Sequence, residues 1–116
     1  MPREFYRSDR LGAQIMRSLS ELLRLETKDP ALQTISLTDI DLSRDLSVAK
    51  VYFSMLNPDD DPQPALEGLA RANGFLRSKL GRMIKVRHVP ELRFYHDDSA
   101  EHGAEISRLL DEARDL

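Results

Sequence analysis

The chain has 116 residues, of which 32% are charged and 41% hydrophobic, and its formal net charge is −3 at pH 7. This length and composition are typical of one globular domain, and no apolar run approaches the roughly 18 residues that a membrane helix needs. The absence of cysteine excludes disulfides, thiolate metal sites and a cysteine nucleophile. Residues 1–7 lack the apolar core of a signal peptide, so we expect a cytoplasmic protein.

The first half of the chain predicts a helix followed by a β-hairpin. After an irregular arm over residues 1–7, apolar residues at spacings of three and four predict a helix over about 8–26. Residues 34–42 and 47–55 alternate in hydrophobicity and predict two paired strands. The alternation changes phase within the first strand, which indicates a bulge at 38–39.

A second helix, a third strand and a final helix complete the predicted fold. The second helix starts near residue 63, and Asn73-Gly74 interrupts its apolar stripe, so we expect a kink between two half-helices there. Residues 92–96 alternate as a third strand, and residues 97–116 predict an acidic helix with a net charge of −5. The predicted class is α+β, with a three-stranded sheet covered by helices on one face, in a single domain over 1–116.

Positive charge is concentrated between residues 71 and 96. This segment carries +6, so the remaining residues sum to −9. A row of cations suits a row of phosphates, and free N–H groups at the start of a second half-helix would attract an anion. The sequence therefore predicts a nucleic-acid site formed by Arg71, Ala72, Asn73, Gly74, Arg77, Lys79, Arg82, Lys85, Arg87 and His88.

A second set of arginines lies in the arm and the first helix. A secondary phosphate contact is predicted for Arg3, Arg7, Arg10 and Arg17, and Arg24 continues the seven-residue spacing of the last two. A solvated charged face is the alternative explanation for this stripe. Close helix packing is the alternative explanation for Gly74.

Histidines near acidic residues raise the alternative of a metal-dependent enzyme. The residues concerned are His88, His96, His102, Asp97, Asp98 and Glu101. The six-residue separation of His96 and His102 matches no metal-ligand spacing that we can identify, and the acids are better explained as helix caps and first-turn charges. The sequence also lacks a glycine-rich phosphate loop and a serine elbow. We therefore expect no catalytic residue, no metal and no cofactor.

A protein-binding module is the other alternative. The strand face that carries Lys50 and Tyr52, or a sheet edge, offers a site for a peptide, although this leaves the +6 segment unexplained. Salt dependence separates the two functions, because binding through phosphate contacts weakens steeply with salt and peptide binding need not.

The predicted order of elements resembles that of a type II KH domain, a nucleic-acid-binding fold. The chain has Ala72-Asn73-Gly74 in place of the usual Gly-x-x-Gly loop, which is similar to the variant found in the ribosome-binding factor A family. Further landmarks are Asp29-Pro30, the strand entry at 45–52, and the stretch 87–94 followed by Asp97-Asp98-Ser99. The resemblance covers about residues 5–112 and lacks the longer C-terminal tail of some members.

The resemblance implies a non-catalytic ribosome biogenesis factor. Members of this family bind the free 30S ribosomal subunit and its 16S rRNA late in maturation. They support processing of the 5′ end of 16S rRNA and growth in the cold, and an assembly GTPase is implicated in their release. The resemblance also implies a cytoplasmic monomer that acts without a cofactor or a membrane.

Overall fold

A computed structural model describes residues 3–97 of the chain, and its side chains from residue 9 onwards. The elements follow the predicted α+β order: helix α1 (Arg3–Leu25), a short 3-10 turn (Pro30–Gln33), strands β1 (Ile35–Leu42) and β2 (Val48–Met55), helix α2 (Gln63–Met83) and strand β3 (Glu91–His96). The final helix predicted over 97–116 lies outside the described residues, apart from Asp97. Neither α1 nor α2 is long and apolar enough to cross a membrane.

Helix α1 begins earlier than the sequence analysis predicts. It is helical from Arg3, so the prediction of an irregular arm is wrong from residue 3 onwards. The apolar periodicity is confirmed, because Ile15 and Leu19 are fully buried under the helix. Gly12 lets α1 pack closely on the sheet, since a Cβ at this position would lie 3.1 Å from Cγ2 of Ile40.

The sheet has β2 at its centre, with β1 on one side and β3 on the other. Strands β1 and β2 form the predicted antiparallel hairpin, and the register shift between Leu37 and Asp39 confirms the bulge. Strand β3 runs parallel to β2, with Glu91 opposite Val48. Helix α2 is therefore the crossover that connects two parallel neighbours.

The hairpin turn is held by the carboxylate of Asp45. Its Oδ1 accepts hydrogen bonds from the hydroxyls of Ser47 and Ser43 at 2.7 and 2.9 Å, and from the Ser47 N–H at 3.1 Å. These bonds, that of the Ser47 hydroxyl most of all, lower the pKa of Asp45. The next residue, Leu46, has a φ of 60°, a left-handed conformation that is unfavourable for leucine.

The helices cover one face of the sheet, as predicted. Ala49, Val51 and Phe53 of β2 are fully buried on the covered face. Between them in the chain, Lys50 is exposed and Tyr52 half-buried on the opposite face. The core lies between the covered face and the two helices.

Helix α2 is one unbroken helix. Its helical backbone runs through Asn73 and Gly74, and Gly74 does not have a positive φ. The predicted break into two half-helices is therefore wrong, and no free N–H groups arise in the middle of α2. Asn73 fits because its Nδ2 donates a hydrogen bond to the carbonyl oxygen of Leu92 at 3.0 Å.

The buried stripe of α2 also differs slightly from the prediction. The buried positions along the stripe are Ala65, Leu69, Leu76 and Leu80, and Ile84 continues the series just after the helix. Met83, predicted to continue the apolar stripe, is 40% exposed. Ile84 has already left the helix, with an extended backbone of φ −114° and ψ 144°, so its burial does not follow the helical spacing.

Candidate nucleic-acid interface

A strip of small residues runs along the exposed side of α2. Ala70, Gly74 and Ser78 are four residues apart, so they lie one above another, and all three are exposed. We call them the outer strip. With no long side chain along it, the outer strip is a surface that a polymer backbone could approach closely.

Arginines border the outer strip on both sides. Arg71 lies along one side, whereas Arg82, four residues after Ser78, continues the row and stands at its C-terminal end. Arg77 lies along the other side, and all three arginines are exposed. The outer strip therefore has one arginine on each side and a third at its C-terminal end.

Gly74 differs from the other described glycines because the fold has no need of it. A Cβ added to Gly12, Gly68 or Gly81 would meet packed side-chain atoms at 3.1, 2.8 and 3.0 Å respectively. A Cβ added to Gly74 would meet nothing within 4 Å. Because glycine in a helix costs about 0.5–1 kcal/mol relative to alanine, packing does not explain why glycine stands at this exposed position.

Arg71 is held by Asp29, an acidic residue that follows the first helix. The Nη2 of Arg71 lies 2.9 Å from Oδ2 of Asp29. The other carboxylate oxygen of Asp29 accepts a hydrogen bond from the N–H of Ala31 at 3.0 Å. The backbone bond from Ala31 lowers the pKa of Asp29 most, and the bond from Arg71 lowers it further.

Two other predicted site residues connect α2 to the start of β3. Arg77 donates from Nη2 to the carbonyl oxygen of Val89 at 2.9 Å, and Asn73 donates to that of Leu92. Asn73 is half-buried and is turned away from the outer strip, towards β3. The structure thus gives Asn73 a role in the fold and leaves the other donors of Arg77 available.

Lys79 and Ala72 lie away from the outer strip. The Nζ of Lys79 is 3.8 Å from a carboxylate oxygen of Glu26 on the segment after α1, and 5.9 Å from the ring centre of Phe75. Ala72 is half-buried and packs against the hydrophobic core. The predicted set of ten residues therefore does not form one uniform surface.

The remaining predicted residues lie at the C-terminal end of α2 and beyond it. Arg82 is in the last turn, where a cation also interacts favourably with the helix dipole. Lys85, Arg87 and His88 lie in the loop that follows, which is anchored by the buried side chains of Ile84 and Pro90. Arg82, Lys85 and Arg87 form no ion pair with any residue in the described part of the chain.

The secondary set on α1 does not merge with this surface. Arg10 and Arg17 are exposed, while the side chains of Arg3 and Arg7 lie outside the described residues. Arg17 borders a depression together with Glu21, and Glu21 also borders a second depression shared with Arg82. A carboxylate therefore lies between the two sets of cations, a separation that the linear spacing of residues does not predict.

The metal-site alternative gains no support from the described residues. Between residues 9 and 97, no three His, Asp or Glu side chains are grouped as metal ligands. His96 packs against Phe53, with ring centres 5.6 Å apart, and His88 is exposed on its loop. The other members of the candidate cluster, Asp98, Glu101 and His102, lie outside the described part.

The fold and this surface define a class of protein: a small α+β domain with a KH-like fold and a cation-bordered helix on its exposed side. Residues 7–110 match the family model of ribosome-binding factor A. Ribosome-binding factor A of Azoarcus sp. (strain BH72) is 47% identical over 113 residues, which cover 97% of this chain and 90% of the relative. The chain belongs to the ribosome-binding factor A family.

Solved structures agree with this assignment. The crystal structure of ribosome-binding factor A from Thermus thermophilus is similar with a TM-score of 0.69 and 32% identity, over 76% of this chain and 92% of that one. A homology model of the T. thermophilus factor, fitted into a cryo-EM map of its complex with the 30S subunit, is similar with a TM-score of 0.60 and 32% identity. That match covers 72% of this chain and 88% of the other.

Proposed function

We propose that this protein binds the free 30S ribosomal subunit through 16S rRNA during late maturation, and that it does so without catalysing a reaction. The observation that carries the proposal is membership of the ribosome-binding factor A family, together with the T. thermophilus relative that has been fitted into a 30S complex. In this proposal the protein supports 5′-end processing of 16S rRNA and growth in the cold. It acts as a cytoplasmic monomer, and an assembly GTPase promotes its release.

The outer strip of α2 is the proposed path of the rRNA backbone. Gly74 leaves room for a sugar–phosphate chain to approach the helix, and Arg71, Arg77 and Arg82 supply charge on both sides of the strip and at its C-terminal end. Lys85 and Arg87 extend the positive charge past the end of the helix. Contacts of this kind recognise the shape and backbone of RNA rather than its base sequence.

The contacts that hold Arg71 and Arg77 within the protein are compatible with phosphate binding. A guanidinium has five N–H donors, and in each of these arginines only Nη2 is engaged within the described part of the chain, with Asp29 or with the Val89 carbonyl. A side chain that is already held in place loses less conformational entropy when it binds a ligand. Both arginines therefore offer phosphates a preorganised set of remaining donors.

Sedimentation tests this proposal directly. Purified protein is mixed with free 30S subunits or with translating ribosomes, and each mixture is separated on a sucrose gradient. We expect the protein to travel with the free 30S subunit and to be absent from translating ribosomes. Equal distribution over both particles, or failure to travel with either, would reject the proposal.

A salt titration of the same binding reaction tests the mechanism. Each phosphate contact contributes a log–log slope of about −0.7 to −0.9, so several contacts predict a steep loss of affinity with salt. Binding that is insensitive to salt would favour the peptide-binding alternative over contact with rRNA.

A further inference from the structure

The face of the sheet that the helices leave uncovered has its own pattern. Two neighbouring rows of side chains run across all three strands, as the strand registers show. The first row is Asp41, Lys50 and Arg93, and the second is Asp39, Tyr52 and Tyr95. We call the surface formed by these six residues the open face.

Two tyrosines of the open face lie side by side, one on β2 and one on β3. The ring centres of Tyr52 and Tyr95 are 5.6 Å apart and the ring planes are inclined by 30°. Tyr95 is 40% exposed, although its backbone belongs to strand β3. Single exposed apolar residues are common, but a stacked aromatic pair on a rigid sheet offers contact area at little cost in conformational entropy, as in protein-binding surfaces.

The charge around the tyrosines is predominantly negative. This side of the sheet carries four carboxylates and only two cations. The carboxylates are those of Asp39, Asp41, Glu91 and Asp97, and the cations are those of Lys50 and Arg93. One of these cations is already paired, since Nη2 of Arg93 is 3.3 Å from a carboxylate oxygen of Glu91. A shallow depression of about 370 Å³ also lies on this surface, bordered by Asp39, Asp41, Tyr52 and Asp97.

We propose that the open face docks a lysine- or arginine-rich polypeptide segment of a protein partner. Its cations would lie over the tyrosine rings and against the carboxylates of Asp39, Asp41 and Asp97, since aromatic faces and carboxylates both attract guanidinium and ammonium groups. RNA does not fit this surface, because four carboxylates repel phosphates. The identity of the partner rests on the proposed function. The segment belongs to a protein component of the 30S particle, and the open face binds it while α2 contacts rRNA.

Site-specific photo-crosslinking tests the occupant. The full chain carrying Tyr95→p-benzoylphenylalanine is mixed with purified 30S subunits and irradiated, and the adducts are identified by mass spectrometry after nuclease or protease treatment. We expect an adduct with a lysine- or arginine-rich segment of a protein. An adduct with rRNA, with residues 98–116 of the same chain or with a protein segment poor in cations, or no adduct, would overturn the proposal.

The matched control is Phe75→p-benzoylphenylalanine, which replaces one exposed aromatic ring by another beside the outer strip, and an adduct with rRNA is expected there. An rRNA adduct at position 75 without the expected protein adduct at position 95 rejects the open face alone. Lack of co-sedimentation together with no adduct at either position rejects the proposed function itself.

Binding of a labelled deca-arginine peptide tests the open face without the ribosome. Fluorescence anisotropy should show at least fivefold weaker binding for Tyr95→Ala than for the unchanged protein. The control is Phe75→Ala, which removes an aromatic ring of nearly equal exposure, 41%, from α2 and should leave the affinity unchanged. Equal affinities of the two variants would contradict the inference, and matching thermal unfolding curves would show that both variants fold.

Discussion

The two exposed sides of this molecule each present an aromatic ring to solvent, yet they are suited to different partners. Phe75 on α2 is 41% exposed and Tyr95 on the open face is 40% exposed. Phe75 lies beside a strip of small residues bordered by arginines, whereas Tyr95 is stacked on Tyr52 among carboxylates. Exposure alone therefore does not identify a partner, whereas the local charge does. The net charge of −3 describes neither side.

Charge reversal on the α2 side should produce the largest effect. Arg82→Glu combined with Arg87→Glu should weaken 30S binding by about tenfold or more, because each change replaces attraction to a phosphate by repulsion. Co-sedimentation across a range of protein concentrations measures the change. Arg44→Glu in the hairpin turn is the control for the single change Arg82→Glu, since each alters the net charge by −2, and it should bind normally. Equal weakening by the control would indicate a general effect of net charge rather than a site on α2.

Neutralising the same cations should change the salt dependence of 30S binding, whereas a change on the open face should not. Arg82→Gln with Arg87→Gln removes two phosphate contacts and should make the log–log slope shallower by about 1.4 to 1.8. Tyr95→Ala should leave the slope unchanged, because the open face does not contact phosphates. A salt titration of each variant measures this, and a slope change of similar size for Tyr95→Ala would remove the distinction between the two sides.

Replacing Gly74 by alanine should make the protein more stable but weaken its binding to the 30S subunit. An alanine meets nothing at this position, so the free energy of unfolding should rise by about 0.5–1 kcal/mol. Binding to 30S should become several-fold weaker, because the added methyl group lies where the rRNA backbone approaches. Thermal unfolding and co-sedimentation measure the two effects.

Gly81→Ala is the control for this change. Its Cβ would lie 3.0 Å from Cγ2 of Val89, which has to shift, so this variant should gain less stability than Gly74→Ala. If Gly74→Ala binds 30S as tightly as the unchanged protein, the close approach of RNA at the outer strip is excluded.

Lowering the pH should have the smallest effect, which is a loss of folding stability as Asp29, the partner of Arg71, is protonated. A carboxyl group whose pKa is lowered by folding stabilises the native state above its unfolded pKa, and this contribution is lost as the pH falls to the lowered value. The pKa of Asp29 is lowered by the bonds from Ala31 and Arg71, so stability should fall below about pH 4. Asp29→Asn should show a shallower fall in thermal unfolding experiments over this range. An identical pH profile for the variant would show that this contact contributes no stability.

The sequence predicted the order of the elements well and the ends and continuity of the helices less well. The bulge could be read because one extra residue in a strand shifts the phase of its alternating hydrophobicity. The start of α1 could not be predicted correctly. Ser8 is a good capping residue and suggested a start there, but residues 3–8 contain no glycine or proline that would break the helix. The break in α2 was wrongly predicted because local propensity disfavours Asn-Gly, whereas packing of the helix and the bond from Asn73 to Leu92 keep it continuous.

The candidate site shows the same division. Its concentration of positive charge was evident from the sequence, and so was the unusual position of Gly74, although the predicted break that frees backbone N–H groups does not occur. The partners of these residues could not be read, since Asp29 lies 42 residues from Arg71 and Glu26 lies in the segment after α1. The sequence also could not predict which glycines are needed for close packing, because the atoms they pack against come from other elements.

The order of the described helices and strands and the accumulation of positive charge could be read from the amino-acid order, because periodicity and composition are local properties. The packed structure was needed to show which cations are bound within the protein, which glycine is free of packing, and which residues share the open face. These features depend on contacts between segments far apart in the chain, and such contacts exist only once the sheet and the two helices have packed together.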